Sequence, residues 1–525
     1  MKKRWSWVGA LLLVAAFAAC KKDVKDPYKG EVKPPQTSKT YETDAVENLV
    51  KDSIFYYTKL FSLWQDKLPP KNINDLDKKD YIRHNYTRYF PRGEDVLDWM
   101  VSIPKDAKGN PIDRFSFLDR EGVVSGEIQD AIATSFGMYV IYLQTEDSGN
   151  NAHLYIRMVD NNSSANSAGI ERGDRIMSIN GNTAIDYNSQ RAKDFKEIDN
   201  YLLKETNLTV RFKKPSGDEV TRTITSAQYD LDPVLNHQVI ETNNKKVGYL
   251  AFSSFVSIKK WVNNIETHTP MYDRFESIFN GFESQGIDEL VVDLRYNGGG
   301  STLTAEYLVD RIVPPSANGK LMYRYEINAL LKSFGWDKSG EEPGPFAPIN
   351  ISKKGTLDLQ KVYFLVTKGS ASASELLINA LKPYMEVYMI GTYGSNDNGQ
   401  AVAENTYGKP AGFFEWPIVN DDIGLYVTSF KMYNALGQGD YFNGLTPNAH
   451  VWEFAPGKFL AFGDRSESML STALNHISTG SFSPMMALRS GEEGWTNRPK
   501  AYVGIQENMR RNNMFKFNRG DVKLR

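Results

Sequence analysis

The 525-residue chain is poor in the groups that most often carry chemistry. It has one cysteine, Cys20, so a disulfide framework, a cysteine-ligated metal site and a buried thiol nucleophile are excluded or improbable together. It has six histidines, and no two stand at helical or hairpin ligand spacing, which argues against a histidine-rich metal centre. Charge of one sign is also lacking. Lys+Arg 62 against Asp+Glu 64 leaves a formal charge of −2, so a nucleic-acid binder working by bulk charge is not expected. With 41% hydrophobic and 24% charged residues, a packed core is within reach and wholesale disorder is not.

The longest apolar run is short and lies at the start. Residues 1–19 carry basic Lys2, Lys3 and Arg4, an apolar stretch from Trp7 to Ala19, and small Ala18 and Ala19 before Cys20. That run is too short to span a bilayer and has the anatomy of an export signal. The segment resembles a bacterial lipobox, with Phe17 where an aliphatic residue is usual. The resemblance implies diacylation of Cys20, a lipid anchor, and a place in the cell envelope (outer membrane, periplasmic face or cell surface). Residues 20–43 are polar and Pro-containing and read as a tether.

Residues 44–117 show apolar positions at helical spacing, punctuated by Pro69-Pro70, Pro91 and Pro104, and read as a small helical N-terminal domain. In 118–230 the period changes to two. Strands are expected at Met138–Leu143, Leu154–Met158, Arg175–Ile179 and Leu208–Phe212, with a hairpin turn at 215–218. The run SSANSAGIERGDRIMSINGNTA (163–184) resembles the core of a PDZ domain, and SFGMYV (135–140) its carboxylate-binding loop with the following strand. That likeness implies peptide docking by strand addition, with Phe136, Gly137 and Met138 as peptide-binding residues.

The largest block, 231–480, alternates buried-strand candidates (246–252, 289–295, 361–367, 387–391, 412–418) with helices expected at Arg274–Gln285, Ser301–Ile312 and Ala371–Lys382. This pattern implies an α/β layer structure with a mostly parallel sheet. Residues 481–525 are basic, rich in Asn and Arg and weakly periodic, and the sequence assigns them no task.

Two strand-to-helix junctions in this block stand out. In DLRYNGGGST (293–302), Gly298-Gly299-Gly300 let backbone N–H groups approach a ligand beside a helix start. No phosphate-loop Lys or dinucleotide spacing follows, so an oxyanion hole, an anion-holding module and a plain turn all remain open. In KVYFLVTKGSASASELLINALKPYM (361–385), a strand ends at Thr367, small residues turn the chain, and a helix runs to Pro383. A serine at such a start sits in a positive field, although Ser370, Ser372 and Ser374 also suit ordinary capping. Without a persuasive histidine, the candidate base is a lysine, and Lys409 lies between Gly408 and Pro410 before an apolar strand.

KGSASASELL, DLRYNGGG, TYGKPAGFF, the PDZ-like core and their order resemble the C-terminal processing peptidases, also called tail-specific proteases. The likeness covers roughly 118–478, including GLTPN (444–448) and GDRSESMLSTAL (463–474). It implies a crotonase-like α/β core and a serine endopeptidase without metal or nucleotide cofactor. It maps the nucleophile to Ser372, the oxyanion N–H groups to Ala373 with Gly299 or Gly300, and the base to Lys409. The expected partners are protein C-termini or unfolded segments, and the membrane through Cys20. The sequence departs from the family pattern in two ways. Ser372 and Lys409 are 37 positions apart, as if a loop near 392–405 were inserted, and an earlier Tyr393-Gly394 carries Ser395 instead of lysine. The glutamine that many members place four residues after the lysine is Phe413. A catalytically inactive peptide-binding lipoprotein on the same fold is the alternative.

Overall fold

Asp44 opens the first helix, Ala45–Phe61, by accepting the Glu47 N–H at 2.7 Å, and a second long helix, Gly93–Ser102, packs against it. In this computed structural model the described residues are 30–35, 38–41, 43–262, 265–395, 400–419, 423–454, 460–482, 498–500 and 514–516. The expected signal and Cys20 lie outside the described residues.

The N-terminal helices do not close a core of their own. Phe61 stands 5.5 Å from Phe414 and 5.2 Å from Trp416, ring to ring, and Tyr57 stands 5.4 Å from Trp416. Asn328 ties the helix end down by donating to Leu60 O and Ser62 O. Val50, Ile54 and Phe55 therefore belong to one apolar cluster with the strands and helices of the 231–480 block. Periodicity marked the helices correctly, but not that their apolar faces need a sheet from another part of the chain to cover them.

That block is built on two sheets. In the first, Lys245–Phe252, Glu289–Asp293, Lys361–Leu365 and Glu386–Ser395 run parallel in that order, with Ala449–Val451 parallel beyond them. Val234–Thr242 and Ala401–Ala403 are antiparallel at its edges. Between the parallel strands run the helices Pro270–Gln285, Thr302–Ile312 and Ala373–Leu381, close to the expected spans. The expectation that 412–418 joins this parallel sheet is corrected. Ala411–Ile418 pairs antiparallel with Ile423–Asn434 in a second sheet that also holds Leu321–Ile327 and Phe117–Asp119. An apolar run on a buried strand reads alike in either sheet, which is why periodicity could not separate them.

The PDZ-like unit has its own core, formed by residues between Phe136 and Ile224. Its sheet runs Met138–Gln144, His153–Val159, Arg175–Ile179, Asn207–Lys213 and Glu219–Thr225, each antiparallel to the next. The turn at 215–218 is present, with Gly217 at φ +100°. Ile132–Ser135 and Ala227–Asp230 pair at its base. The stretch from 117 to 130 belongs instead to the α/β block, because Phe117–Asp119 lies in the second sheet and the Ser257 N–H donates to Ile128 O. The stretch expected to be a tether has a fixed point, because Glu31 accepts the Lys71 N–H at 2.9 Å.

Candidate active site

The two unusual junctions meet. Asp293 ends a parallel strand whose neighbour is Lys361–Leu365, so the turns that follow the two strands emerge side by side at the C-terminal edge of the sheet. Asn297 fastens them. Its carbonyl accepts the Ala371 N–H at 3.1 Å and the Ser374 hydroxyl at 2.9 Å, and its side chain donates to Phe252 O while accepting the Gly299 N–H. Gly299 and Gly300 have φ of +110° and +139°. A Cβ at Gly300 would stand 2.4 Å from Phe255 O, so only glycine fits there.

The three serines of the second junction separate by what their hydroxyls do. Ser370 Oγ donates to Leu294 O at 2.8 Å and accepts the Thr367 N–H. Ser374 Oγ is held on Asn297 O. Both are structural. The Ser372 hydroxyl is fully buried and has no hydrogen-bond partner, and its backbone sits at φ +63°, ψ −110°, a conformation a side chain rarely adopts. Such a backbone costs of order 1–3 kcal/mol. Ser372 immediately precedes the Ala373–Leu381 helix, so its side chain and the Ala373 N–H share the positive end of that helix. The outer two serines thus tie the turn to its neighbours, while Ser372 stands at the N-cap position with its own N–H taken by Glu375.

A carboxylate that the sequence reading passed over joins this turn to the lysine loop. Glu375, fully buried, accepts the Ser372 N–H and the Lys409 N–H on Oε2, and the Gly408 N–H and Thr406 hydroxyl on Oε1. Burial pushes its carboxyl above the usual glutamate range, against the four donors that favour the ion. The signal was present in the sequence: Ser372-x-x-Glu375 is the spacing at which a side chain reaches back to its own N-cap N–H. Gly408, at φ +90°, is required because Phe442 O and Gly444 N would lie 2.5 Å and 2.6 Å from a Cβ. The GLTPN segment thus lies against the lysine loop.

Lys409 is 1% exposed. Its ammonium nitrogen lies 3.7 Å from the Phe413 ring centroid and 5.0 Å from that of Phe115. Phe413, where the family pattern has glutamine, is thus one wall of the lysine's pocket, and its ring is braced edge-on by Phe117. Phe115 belongs to a turn fixed by Asp113, which accepts from Ser116 and Thr428. Ser395 backbone pairs with Ala401 in a hairpin off the first sheet.

The PDZ-like unit touches the same region. Arg172 donates to Tyr296 Oη at 3.0 Å, to Leu460 O and to Glu453, while Arg295 makes a two-pronged contact with Glu467 and a further one with Asp293. Tyr296, one residue before Asn297, has φ +68°. Glu467 also caps the Ser468–Thr479 helix, which is the part that GDRSESMLSTAL plays. The contacts of Arg172 with Tyr296 and Glu453, and of Arg295 with Glu467, were not legible from the sequence, because each joins residues more than a hundred positions apart. In the loop expected to receive a peptide carboxylate, Phe136 and Met138 are buried, and the Gly137 N–H is held by Ser135 Oγ at 3.0 Å. Among the described residues no cluster of side chains could hold a metal ion.

The profile of peptidase family S41 matches residues 246–451 and that of the PDZ domain residues 138–198. A carboxyl-terminal-processing protease of a Picosynechococcus species is 27% identical over 322 residues, 60% of this chain and 64% of that protein. The carboxy-terminal processing protease CtpB of Bacillus subtilis is 24% identical over 361 residues, 62% of this chain and 65% of that protein. The chain thus spans slightly less than two thirds of these curated relatives. A crystal structure from Bacteroides fragilis assigned to the S41 proteases shares the fold, with a TM-score of 0.60 at 23% identity over 84% of this chain and 99% of that one. Residues 246–451 thus resemble peptidase family S41 and residues 138–198 a PDZ domain, and the curated relatives that carry both likenesses are carboxyl-terminal processing proteases.

Proposed function

We propose that the chain is an exported, lipid-anchored serine endopeptidase that cuts proteins near their C-termini or in unfolded segments, with Ser372 as nucleophile and Lys409 as base. The core is of the crotonase-like class. The observation that carries the reading is the Ser372 hydroxyl: buried, unpartnered, on a strained backbone, and joined to Lys409 through the Glu375 carboxylate.

A polypeptide docks as an added strand on the PDZ-like unit and reaches the cleft beside the α/β core. Lys409, withdrawn from water between Phe115 and Phe413, takes the Ser372 proton as Oγ attacks the peptide carbonyl carbon. The carbonyl oxygen becomes an oxyanion, met by the Ala373 N–H and an N–H of the glycine turn. Collapse breaks the C–N bond, and the Lys409 ammonium returns the proton to the leaving amine. Water, deprotonated by the same lysine, then hydrolyses the ester and restores Ser372. Anchoring at Cys20 would hold this chemistry at a membrane in the cell envelope.

The test is cleavage of a denatured protein by the full chain beside Ser372→Ala and Lys409→Ala. Cleavage by the parent alone is the expected result. Cleavage surviving in Lys409→Ala overturns the base assignment, and no cleavage by the parent with retained peptide binding indicates an inactive binding protein.

A further inference from the structure

Two pieces of the C-terminal stretch to which the sequence assigned no task are strands. Arg498–Lys500 runs antiparallel to Met138–Gln144, with Arg498 opposite Gln144, Pro499 opposite Leu143 and Lys500 opposite Tyr142. Met514–Lys516 lies between Gly300–Ser301 and Ala411–Ile418 and is parallel to both. Met514 is in register with Gly300, Phe515 with Ser301 and Phe413, and Lys516 with Phe414.

These are not arbitrary edges. Met138–Gln144 follows the Phe136-Gly137 loop directly, and its other side is occupied by His153–Val159. Arg498–Lys500 therefore takes the open edge, the place where an extended peptide adds to such a sheet. Gly300, one of the two glycines expected to face an oxyanion, pairs with Met514, and Phe413 walls the Lys409 pocket. A strand held between these two walls lies along the backbone that a polypeptide awaiting cleavage by Ser372 would have to follow.

We propose that the chain's own C-terminal stretch is an intramolecular occupant of its substrate track. Residues 498–500 fill the docking edge of the PDZ-like unit, and 514–516 fill the edge between the two halves of the site. Another polypeptide gains entry when the tail withdraws. This rests on the peptidase reading only for the identity of the track; the placement of the tail is independent of it. Each tail strand is three residues long, and a main-chain hydrogen bond contributes a net of about 0.5–1.5 kcal/mol, so a longer incoming strand can displace it. A tethered competitor acts at an effective concentration on the order of millimolar. The tail is therefore expected to raise KM while leaving kcat unchanged.

The test uses the full chain carrying Phe515→Pro or Lys500→Pro, each of which removes a main-chain N–H and disfavours the strand, with Phe515→Ala as the control that keeps the amide. In a Ser372→Ala background, amide hydrogen exchange is followed at 138–144, 300–301 and 411–414. Phe515→Pro is expected to speed exchange at 300–301 and 411–414, and Lys500→Pro at 138–144, by about tenfold or more. With Ser372 intact, both proline variants are expected to lower KM for a denatured protein several-fold at constant kcat. Exchange unchanged at both edges overturns the inference whatever the activity. Faster exchange with unchanged KM overturns the competition while leaving the pairing. Faster exchange with no cleavage by any variant supports the placement of the tail and counts against the peptidase reading instead.

Discussion

The chain carries Tyr-Gly twice within fifteen positions, and the fold treats the two copies differently. Tyr393-Gly394 ends the Glu386–Ser395 strand and turns into a hairpin with Ala401–Ala403. Tyr393 packs on His450 and Trp452, and the Glu404 carboxylate lies over Gly394. Tyr407-Gly408 enters no strand. The Tyr407 N–H donates to Ser370 O, and the Gly408 and Lys409 N–H groups go to Glu375. The first copy stands nearer the spacing usual in the family, but the second is bonded to the serine turn. What distinguishes them is the acceptor their N–H groups find, which spacing along the chain does not reveal.

The sharpest way to break this comparison is to exchange the roles of the two turns. Lys409→Ala and Ser372→Ala should each lower kcat by about a thousandfold or more, whereas Ser395→Ala should leave it near the parent value. Placing a lysine at the first turn, Ser395→Lys in the Lys409→Ala protein, should restore nothing. Recovery of cleavage there, measured on a denatured protein, would make the first turn the true counterpart.

Next in size is the carboxylate itself. Glu375→Ala strands four donors in a buried place, and each unmet group costs about 1–3 kcal/mol, so both activity and melting temperature should fall. Glu375→Gln is milder and tests the charge. Because burial raises the Glu375 pKa, folding moves its proton equilibrium toward the acid form relative to the unfolded chain. Its contribution to stability is full below the unfolded pKa and is lost as pH rises through the raised folded one. Glutamine does not titrate, so the melting-temperature gap between parent and Glu375→Gln should narrow from acid toward neutral pH. A gap that widens would show that the four donors outweigh desolvation.

Smaller again is the effect at Phe413. An ammonium over an aromatic face gains about 0.5–2 kcal/mol, so Phe413→Leu should lower kcat by up to about tenfold while leaving KM close to the parent's. Phe413→Gln, which returns the side chain usual in the family, should retain more activity than Phe413→Leu. The reverse order would mean that the ring only fills space.

Much of the site was legible because its parts are local. The serine turn, the glycine turn and the Lys409 loop each announce themselves within ten residues through glycines, small side chains and a helix start. Glu375 was written in the same run and was passed over, because its second set of partners, Gly408 and Lys409, lies more than thirty positions on. The fold shows the same division. Helices and strands agreed with their periods, while the sheet to which 412–418 belongs, the cover over the N-terminal helices and the pairing of 498–500 and 514–516 depend on long-range contacts. Three-residue strands in a basic, Asn-rich stretch carry no alternation for a sequence to display.

The smallest expected effect belongs to the one histidine near these turns. His450 follows GLTPN, which packs on the Lys409 loop, so the sequence alone leaves it a rival base. The fold puts its ring with the other turn: it lies 5.7 Å from the Tyr393 ring at a tilt of 42°, and Nε2 lies 3.0 Å from the Glu404 carbonyl, to which it donates. Burial lowers its pKa from the usual histidine value, against the hydrogen bond to Glu404. His450→Ala should therefore keep kcat within about twofold of the parent and leave the acid limb of the pH profile in place. A loss comparable to that of Lys409→Ala, or an acid limb that moves, would transfer the proton step to His450 and bring the first Tyr-Gly turn into the chemistry with it.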